Sequence, residues 1–83
     1  METSPNESAK GGYRIYSADS LGQAIRHYRR EAGLTQAELA KQSGLNRTYL
    51  SDLERGQETE QVKRLLRVLR LLGVRMTLEK ADW

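Results

Sequence analysis

Residues 36–55 constrain the fold most strongly, because they have the pattern of two short helices joined by one tight turn. Ala40 is small enough for a second helix to cross close by. Gly44 falls where the chain must turn, in a conformation that glycine adopts without a Cβ penalty. Leu50 and Leu53, three residues apart, face inward from the second helix. The segment is therefore predicted to form a helix-turn-helix.

The outward face of the second helix carries Arg47, Thr48 and Ser51. A helix-turn-helix lays this face in the DNA major groove, where its first turns reach base edges. We expect Arg47 to pair with guanine O6 and N7, and Thr48 to contact a thymine methyl or a base-edge acceptor. The alternative for Arg47 and for Ser51 is a solvated surface position.

Further candidate contacts flank this face. Tyr49 is expected to pack its ring over the DNA backbone and bind phosphate, or else to lie half-buried against the fourth helix. Gln36 begins the preceding helix, whose backbone donors favour a phosphate, and Arg55 is a second phosphate candidate. The predicted DNA-binding residues are Gln36, Asn46, Arg47, Thr48, Tyr49, Ser51 and Arg55.

The 83-residue chain makes one small domain, in which the folded state buries only about 60–65% of the unfolded surface. It contains no cysteine and a single histidine, His27, so disulfides and thiolate metal sites are excluded. Neither a catalytic carboxylate pair nor a Gly-rich phosphate loop occurs, so we predict no enzyme and no cofactor. Association into a homodimer is the remaining source of stability.

Charge and hydropathy narrow the class of partner. Residues 20–75 hold eleven Lys or Arg against six Asp or Glu, a balance of +5 that suits a polyanion. No apolar run approaches the length of a membrane span, and no signal-peptide pattern occurs near Met1. We therefore expect a cytoplasmic, nucleoid-associated protein.

The chain divides into a disordered tail at 1–12, a DNA-binding domain at 13–73 and a dimerisation strand and tail at 74–83. Four helices are predicted, at about 20–32, 35–43, 46–55 and 60–72, each followed by a glycine. Thr35 with Glu38 forms a capping box for the second helix, and Asn46 caps the third. The first helix is capped by Ser20 with Gln23, or by Ser17.

The fourth helix is apolar beyond one core stripe, which indicates either a wide core contact or, as we prefer, burial against a second subunit. The apolar alternation after Gly73 predicts a strand. Its pairing partner is either the 14–16 segment or, preferably, the same strand of a second molecule. The predicted dimer interface comprises Val68, Leu71, Val74, Met76 and Leu78.

Arg29 and Glu54 lie on faces that should meet, late in the first and third helices. A partly buried ion pair there would set the angle of the third helix, with little net stabilisation because desolvation offsets the attraction.

The motif Leu34-Thr35-Gln36…Glu38-Leu39-Ala40…Gly44-Leu45…Leu53-Glu54-Arg55-Gly56 resembles the lambda-repressor-like (Xre-type) helix-turn-helix family. The resemblance covers about 21–72 and implies a mainly α, compact, four- to five-helix domain with a short C-terminal β-strand pairing across a dimer. It also implies a phosphate contact by Gln36, a base contact by Arg47 and an Arg29–Glu54 ion pair.

A narrower similarity, to HipB-type antitoxins, rests on Ile15-Tyr16-Ser17, Met76-Thr77-Leu78 and the final tryptophan. It implies a dimeric repressor that binds an inverted-repeat operator in double-stranded DNA and a HipA-type kinase toxin. Trp83 is the candidate toxin contact, unless it folds back on the strand; only 79–83 follow the strand, a departure from the pattern. The alternatives are a stand-alone repressor and a helical protein-interaction module that does not bind DNA.

Overall fold

The computed structural model describes residues 12–81, and the predicted four helices are confirmed. The elements run in the order β1 Tyr13–Ile15, α1 Ala18–Glu31, α2 Gln36–Ser43, α3 Arg47–Glu54, α4 Glu60–Leu72 and β2 Met76–Leu78. Within this range no helix is both long and apolar enough to cross a bilayer. The predicted tail at 1–12 lies, except for Gly12, outside the described residues.

Each helix begins directly after a capping residue. In α2 the Thr35 hydroxyl accepts from the Glu38 amide at 3.1 Å, and the Glu38 carboxylate accepts from the Thr35 amide at 2.8 Å. For α1 the cap is Ser17, and the expectation of Ser20 with Gln23 was wrong. Ser20 is instead the third helical residue, and its hydroxyl completes the capping box by accepting from the Ser17 amide at 2.9 Å.

The turn between α2 and α3 is made by Gly44, whose φ of 75° is left-handed and therefore suits glycine. The Leu45 amide then donates to the Ala40 carbonyl at 2.9 Å, which closes the end of α2. Asn46 begins α3, since its side-chain oxygen accepts from the amides of Thr48 and Tyr49.

The helix α1 lies very close to the end of α3, at Gly22. A Cβ on this buried glycine would stand 2.3 Å from the Leu53 carbonyl oxygen and 2.8 Å from that of Glu54. Contact at that separation is possible only without a side chain, so Gly22 allows α1 to support the back of α3.

One core cluster joins the sheet to α1 and α4. Ile15, Ala24 and Leu66 are buried in it, and partly buried apolar side chains from every neighbouring element pack around them: Tyr13, Leu21, Val62, Met76 and Leu78. The core face of α4 is one narrow stripe, because Leu65 and Leu72 are exposed. A helix this short presents only one stripe to a core made of one helix and two three-residue strands.

The strand β2 pairs antiparallel with β1 of the same chain, with Thr77 opposite Arg14. This is the alternative that the sequence analysis did not prefer, and contacts with the rest of the same chain explain it. The Tyr28 hydroxyl donates to the Leu78 carbonyl at 3.1 Å, and Met76 and Leu78 are half-buried on the chain's own core. These two residues, predicted at a dimer interface, are therefore partly covered by the chain's own core, and their role in a dimer stays a prediction.

Candidate nucleic-acid interface

The back of α3 is anchored in the domain. Leu50 is only 1% exposed, and Glu54 is also buried. Because these two residues are four apart along the chain, they lie on one side of α3 and hold that side against the body, so the opposite side is free.

The N-terminal turns of α3 carry the predicted base-reading residues. Arg47, Thr48 and Tyr49 are exposed in the first turn, and Ser51 is half-buried beside them. Arg47 makes no hydrogen bond or ion pair with any residue between 12 and 81, so its guanidinium donors are open to a ligand. Tyr49 is 46% exposed, which leaves much of its ring open to solvent.

Asn46 caps the N-terminus of α3 and therefore has a structural role at this surface. Its side-chain oxygen already accepts from Thr48 at 2.7 Å and from Tyr49 at 3.3 Å, so only the amide NH2 group remains for a ligand. A phosphate needs a donor, and that is the group left free.

The predicted pair of Arg29 and Glu54 forms with two-pronged geometry. The distances are 2.6 Å from Nε to Oε2 and 2.9 Å from the terminal nitrogen to Oε1, with side chains 8% and 3% exposed. Arg29 also donates to the Leu34 carbonyl at 2.8 Å. One buried guanidinium therefore ties α1, the α1–α2 loop and α3 together.

Gln36 completes this network, a contact that the sequence analysis missed. Its amide nitrogen donates to Glu54 Oε1 at 3.0 Å, so the side chain points toward α3. The donated bond fixes which end of the amide faces inward and leaves the second N–H free. No local sequence pattern indicates a contact between residues eighteen positions apart.

The pKa of Glu54 is lowered, first by the hydrogen bonds from Arg29 and then, against the opposing effect of burial, by that from Gln36. The pKa of Arg29 is raised, first by its hydrogen bonds to Glu54. Both groups therefore stay charged across the neutral range, and the back of α3 remains held throughout it.

Arg55 is already paired in the free protein. It forms an exposed ion pair with Asp52, three residues earlier in the chain. Asp52 was not predicted as part of the surface, although the i, i+3 spacing of opposite charges is a recognisable signal. The pair reduces the positive charge that Arg55 offers to a phosphate.

The remaining predicted residues lie elsewhere. Val68, Leu71 and Val74 are exposed near the end of α4, and Leu71 is 80% exposed. Trp83 lies outside the described residues. Among residues 12–81 no group of His, Asp and Glu side chains is arranged to hold a metal ion.

A match to a known protein family identifies the domain that carries this surface. A helix-turn-helix family model, HTH_3, matches residues 25–78, a span that includes all of α2, α3 and α4. The chain belongs to this family. It is the Xre-type family that the motif at 34–56 resembles, and members of it are DNA-binding regulators rather than enzymes.

The chain is similar to a phage control-region protein and to an antitoxin. The chain is 40% identical over 60 residues to an ImmF control region 10 kDa protein of Bacillus phage phi105, covering 72% of this chain and 67% of that one. It is 32% identical over 65 residues to the antitoxin HipB of Escherichia coli K12, covering 78% and 74%. A solved structure described as a HipB variant in complex with an O2 20mer superposes with a TM-score of 0.52 at 34% identity, covering 82% of this chain and 94% of that one.

Proposed function

We propose that this helix-turn-helix protein is a homodimeric, sequence-specific transcriptional repressor that reads operator DNA with α3. The observation that carries the proposal is the exposed Arg47, which pairs with no residue between 12 and 81 and begins a helix whose back is fixed by Leu50 and Glu54. A rigid helix with a free arginine at its N-terminal end has the geometry required for the major groove.

Within this proposal the residues divide into two roles. Arg47, Thr48 and Ser51 read base edges, because they lie in the first two turns of α3, where Arg47 and Thr48 are exposed and Ser51 is half-buried. Gln36, through its second N–H, and Tyr49 and Arg55 hold phosphates and set the register on the duplex. Asn46 caps the helix and offers its NH2 group to the backbone.

Exposed apolar side chains support the proposal of a dimer. Val68, Leu71 and Val74, together with Leu65 and Leu72, leave the α4 end of a small domain largely uncovered. A second copy on this face would bury it, and two copies would then read an inverted repeat with half-sites roughly 34 Å apart. This repressor would act on the nucleoid in the cytoplasm.

The test is a selection of bound sequences from random DNA, followed by gel-shift titration of Arg47→Ala. We expect a loss of about 1–3 kcal/mol and relaxed preference at one base pair of each half-site. Arg67→Ala, an exposed arginine on α4, is the matched control and should bind as the parent does. Wild-type affinity that is indifferent to sequence and to salt, or Arg47→Ala binding equal to the control, would overturn the proposal.

The specific form we favour is the antitoxin of a HipBA-like operon that represses its own transcription and binds a HipA-type kinase toxin. The similarity to the antitoxin HipB across 78% of this chain supports it. Where a kinase-fold gene lies beside this one, co-expression of the two proteins should yield a stable complex that Trp83→Ala weakens. A neighbourhood without such a gene favours the stand-alone repressor instead.

A helical protein-interaction module is the candidate from a different class. It predicts that Arg47→Ala leaves partner binding and function intact, whereas Trp83→Ala or Met76→Asp abolishes them. The open guanidinium of Arg47 argues against this reading.

A further inference from the structure

A pocket of about 140 Å³ opens on the protein surface where α4 meets β1 and the chain that leads into β2. Its walls are made of apolar side chains from these neighbouring segments: Ile15, Tyr16, Leu66, Leu69 and Val74. Ile15 and Leu66 are buried, whereas Tyr16 and Val74 are about half exposed and border the opening. An apolar cavity of about 150 Å³ accommodates one benzene-sized group, so this pocket has room for one large apolar side chain.

Two arginines also line the pocket, Arg70 near the end of α4 and Arg75 just before β2. Both are exposed, and neither forms an ion pair with any residue between 12 and 81. Protein interfaces are enriched in arginine and tyrosine around an apolar anchor. The pocket therefore combines apolar walls with two guanidinium groups that are available to a ligand.

The positive charge continues along α4 as a basic row of Lys63, Arg67 and Arg70, whose spacings of four and three place them on one side of the helix. All three are exposed and form no ion pair within the described part of the chain. Arg64, on another side of α4, is different because it pairs with Glu60 at 3.3 Å. Like charges at these spacings repel, so the basic row weakens α4 unless an anionic group neutralises it.

We propose that the pocket and the basic row form a docking surface for an acidic segment of another protein. The segment places one large apolar side chain in the pocket and carboxylates against Arg70, Arg75 and the rest of the basic row. This inference goes beyond the proposed repressor function, because none of these residues belongs to α3. Burial of the apolar side chain supplies most of the affinity, and the exposed ion pairs supply orientation and a faster encounter.

The pocket and the basic row together select a protein segment over other occupants. The phosphates of a nucleic acid would neutralise the basic row, but its backbone has no apolar group to fill the pocket. In a two-fold dimer the same patch meets itself, so a second copy would bring Arg70 and Arg75 toward their own counterparts. Val74 is the pocket residue that also belongs to the proposed dimer face, so the two surfaces adjoin.

The test begins with a selection of binding peptides from a random display library against the full chain. Enriched peptides should share one large apolar residue with at least two Asp or Glu residues close to it in sequence. Fluorescence anisotropy then gives the Kd of an enriched peptide. Replacing its apolar residue with alanine should raise the Kd about 10-fold or more, and replacing its carboxylates with amides should raise it about 3- to 30-fold.

On the protein, Arg70→Gln combined with Arg75→Gln should raise the Kd of the same peptide about 3- to 30-fold, because its carboxylates lose their partners. Both positions are exposed, so the double variant should keep the unfolding midpoint of the parent. Arg26→Gln combined with Arg30→Gln is the matched control. It removes the same charge from exposed positions that line a different surface, and the Kd should stay within about 2-fold of the parent value.

The outcomes distinguish a partner segment from the other occupants. A selection that enriches no peptide, peptides that lack either the carboxylates or the apolar residue, or an equal loss in the two double variants would overturn the docking surface. If the double variant of Arg70 and Arg75 instead weakens the dimer in sedimentation, the occupant is a second copy. If it instead weakens operator binding in a gel shift, the occupant is nucleic acid. The repressor proposal is tested separately by Arg47→Ala and survives any of these results.

Discussion

Glu54 accepts hydrogen bonds from Arg29 on α1 and from Gln36 on α2 while itself belonging to α3. At the scale of single residues this carboxylate therefore determines how three helices meet. A buried pair of this kind is costly to break, because removing one partner leaves the other charge desolvated and uncompensated. Its value to the protein is positional: it holds the helix that carries Arg47.

Glu54→Gln should lower the free energy of unfolding at pH 7 by about 3 kcal/mol, at the lower end of the range for broken buried pairs, because glutamine keeps one acceptor. Since the folded-state pKa of Glu54 is lowered, its contribution is complete above the ordinary value of about 4.3 and is lost as pH falls through the folded value. In urea denaturation, the difference in free energy of unfolding between parent and variant should therefore become smaller below about pH 4.

Glu58→Gln is the matched control, an exposed carboxylate in the α3–α4 loop. It should leave the free energy of unfolding within about 0.5 kcal/mol of the parent at every pH. A gap between Glu54→Gln and the parent that stays constant down to pH 2 would contradict the ionic account of this contact.

The recognition helix is positioned by contacts at the element scale, where α1 crosses the end of α3 at Gly22. Glycine inside a helix ordinarily costs about 1 kcal/mol relative to alanine, and the sequence offers no local compensation for it. The close approach of the Leu53 and Glu54 carbonyls supplies the reason. Close packing of the two backbones outweighs helix propensity here.

A glycine-to-alanine substitution inside a helix usually stabilises a protein. Gly22→Ala should instead destabilise the domain by about 1–3 kcal/mol, because the added methyl group forces α1 away from α3. The check is urea denaturation together with operator affinity, which should fall as α3 shifts. Gly33→Ala makes a useful comparison. It strains a positive φ of 76° but meets no atom within 4 Å, so its operator affinity should be unchanged. A Gly22→Ala variant more stable than the parent would refute the close-packing explanation.

At the scale of the whole molecule the fold leaves one end uncovered. A single core cluster lies between α1, α4 and the sheet, and apolar side chains of α4 extend beyond it into solvent. Small domains bury too little surface to leave apolar area exposed without a compensating contact. The proposed second copy would provide that contact and would also supply the second recognition helix.

Val68→Asp should weaken the dimer at least about 10-fold in Kd, because a charge would be buried against apolar side chains, while the monomer keeps its helical content. Lys63→Asp introduces the same residue on another side of α4 and should leave dimerisation near the parent value. Sedimentation equilibrium measures both. Equal effects from the two variants would indicate that charge alone, and not the location on α4, controls association.

Much of the fold could be predicted because its signals are local. Caps at Thr35 and Asn46 and the glycine turn at Gly44 depend on residues within a few positions of each other, and the structure confirms them. The Arg29–Glu54 pair was also predictable, through its family motif. The DNA-contact roles of residues 36–55 stay predictions, and the structure adds which of those side chains are free.

Local chemistry in the chain was enough to specify four helices, their order and the outward face of α3, since periodicity and capping act over one or two turns. The choice of β1 as the partner of β2, the hydrogen bond from Gln36 to Glu54 and the steric need for Gly22 came from the folded chain alone. Each of these joins residues at least eighteen positions apart, where sequence spacing carries no information about distance and only packing of the complete core brings the atoms together.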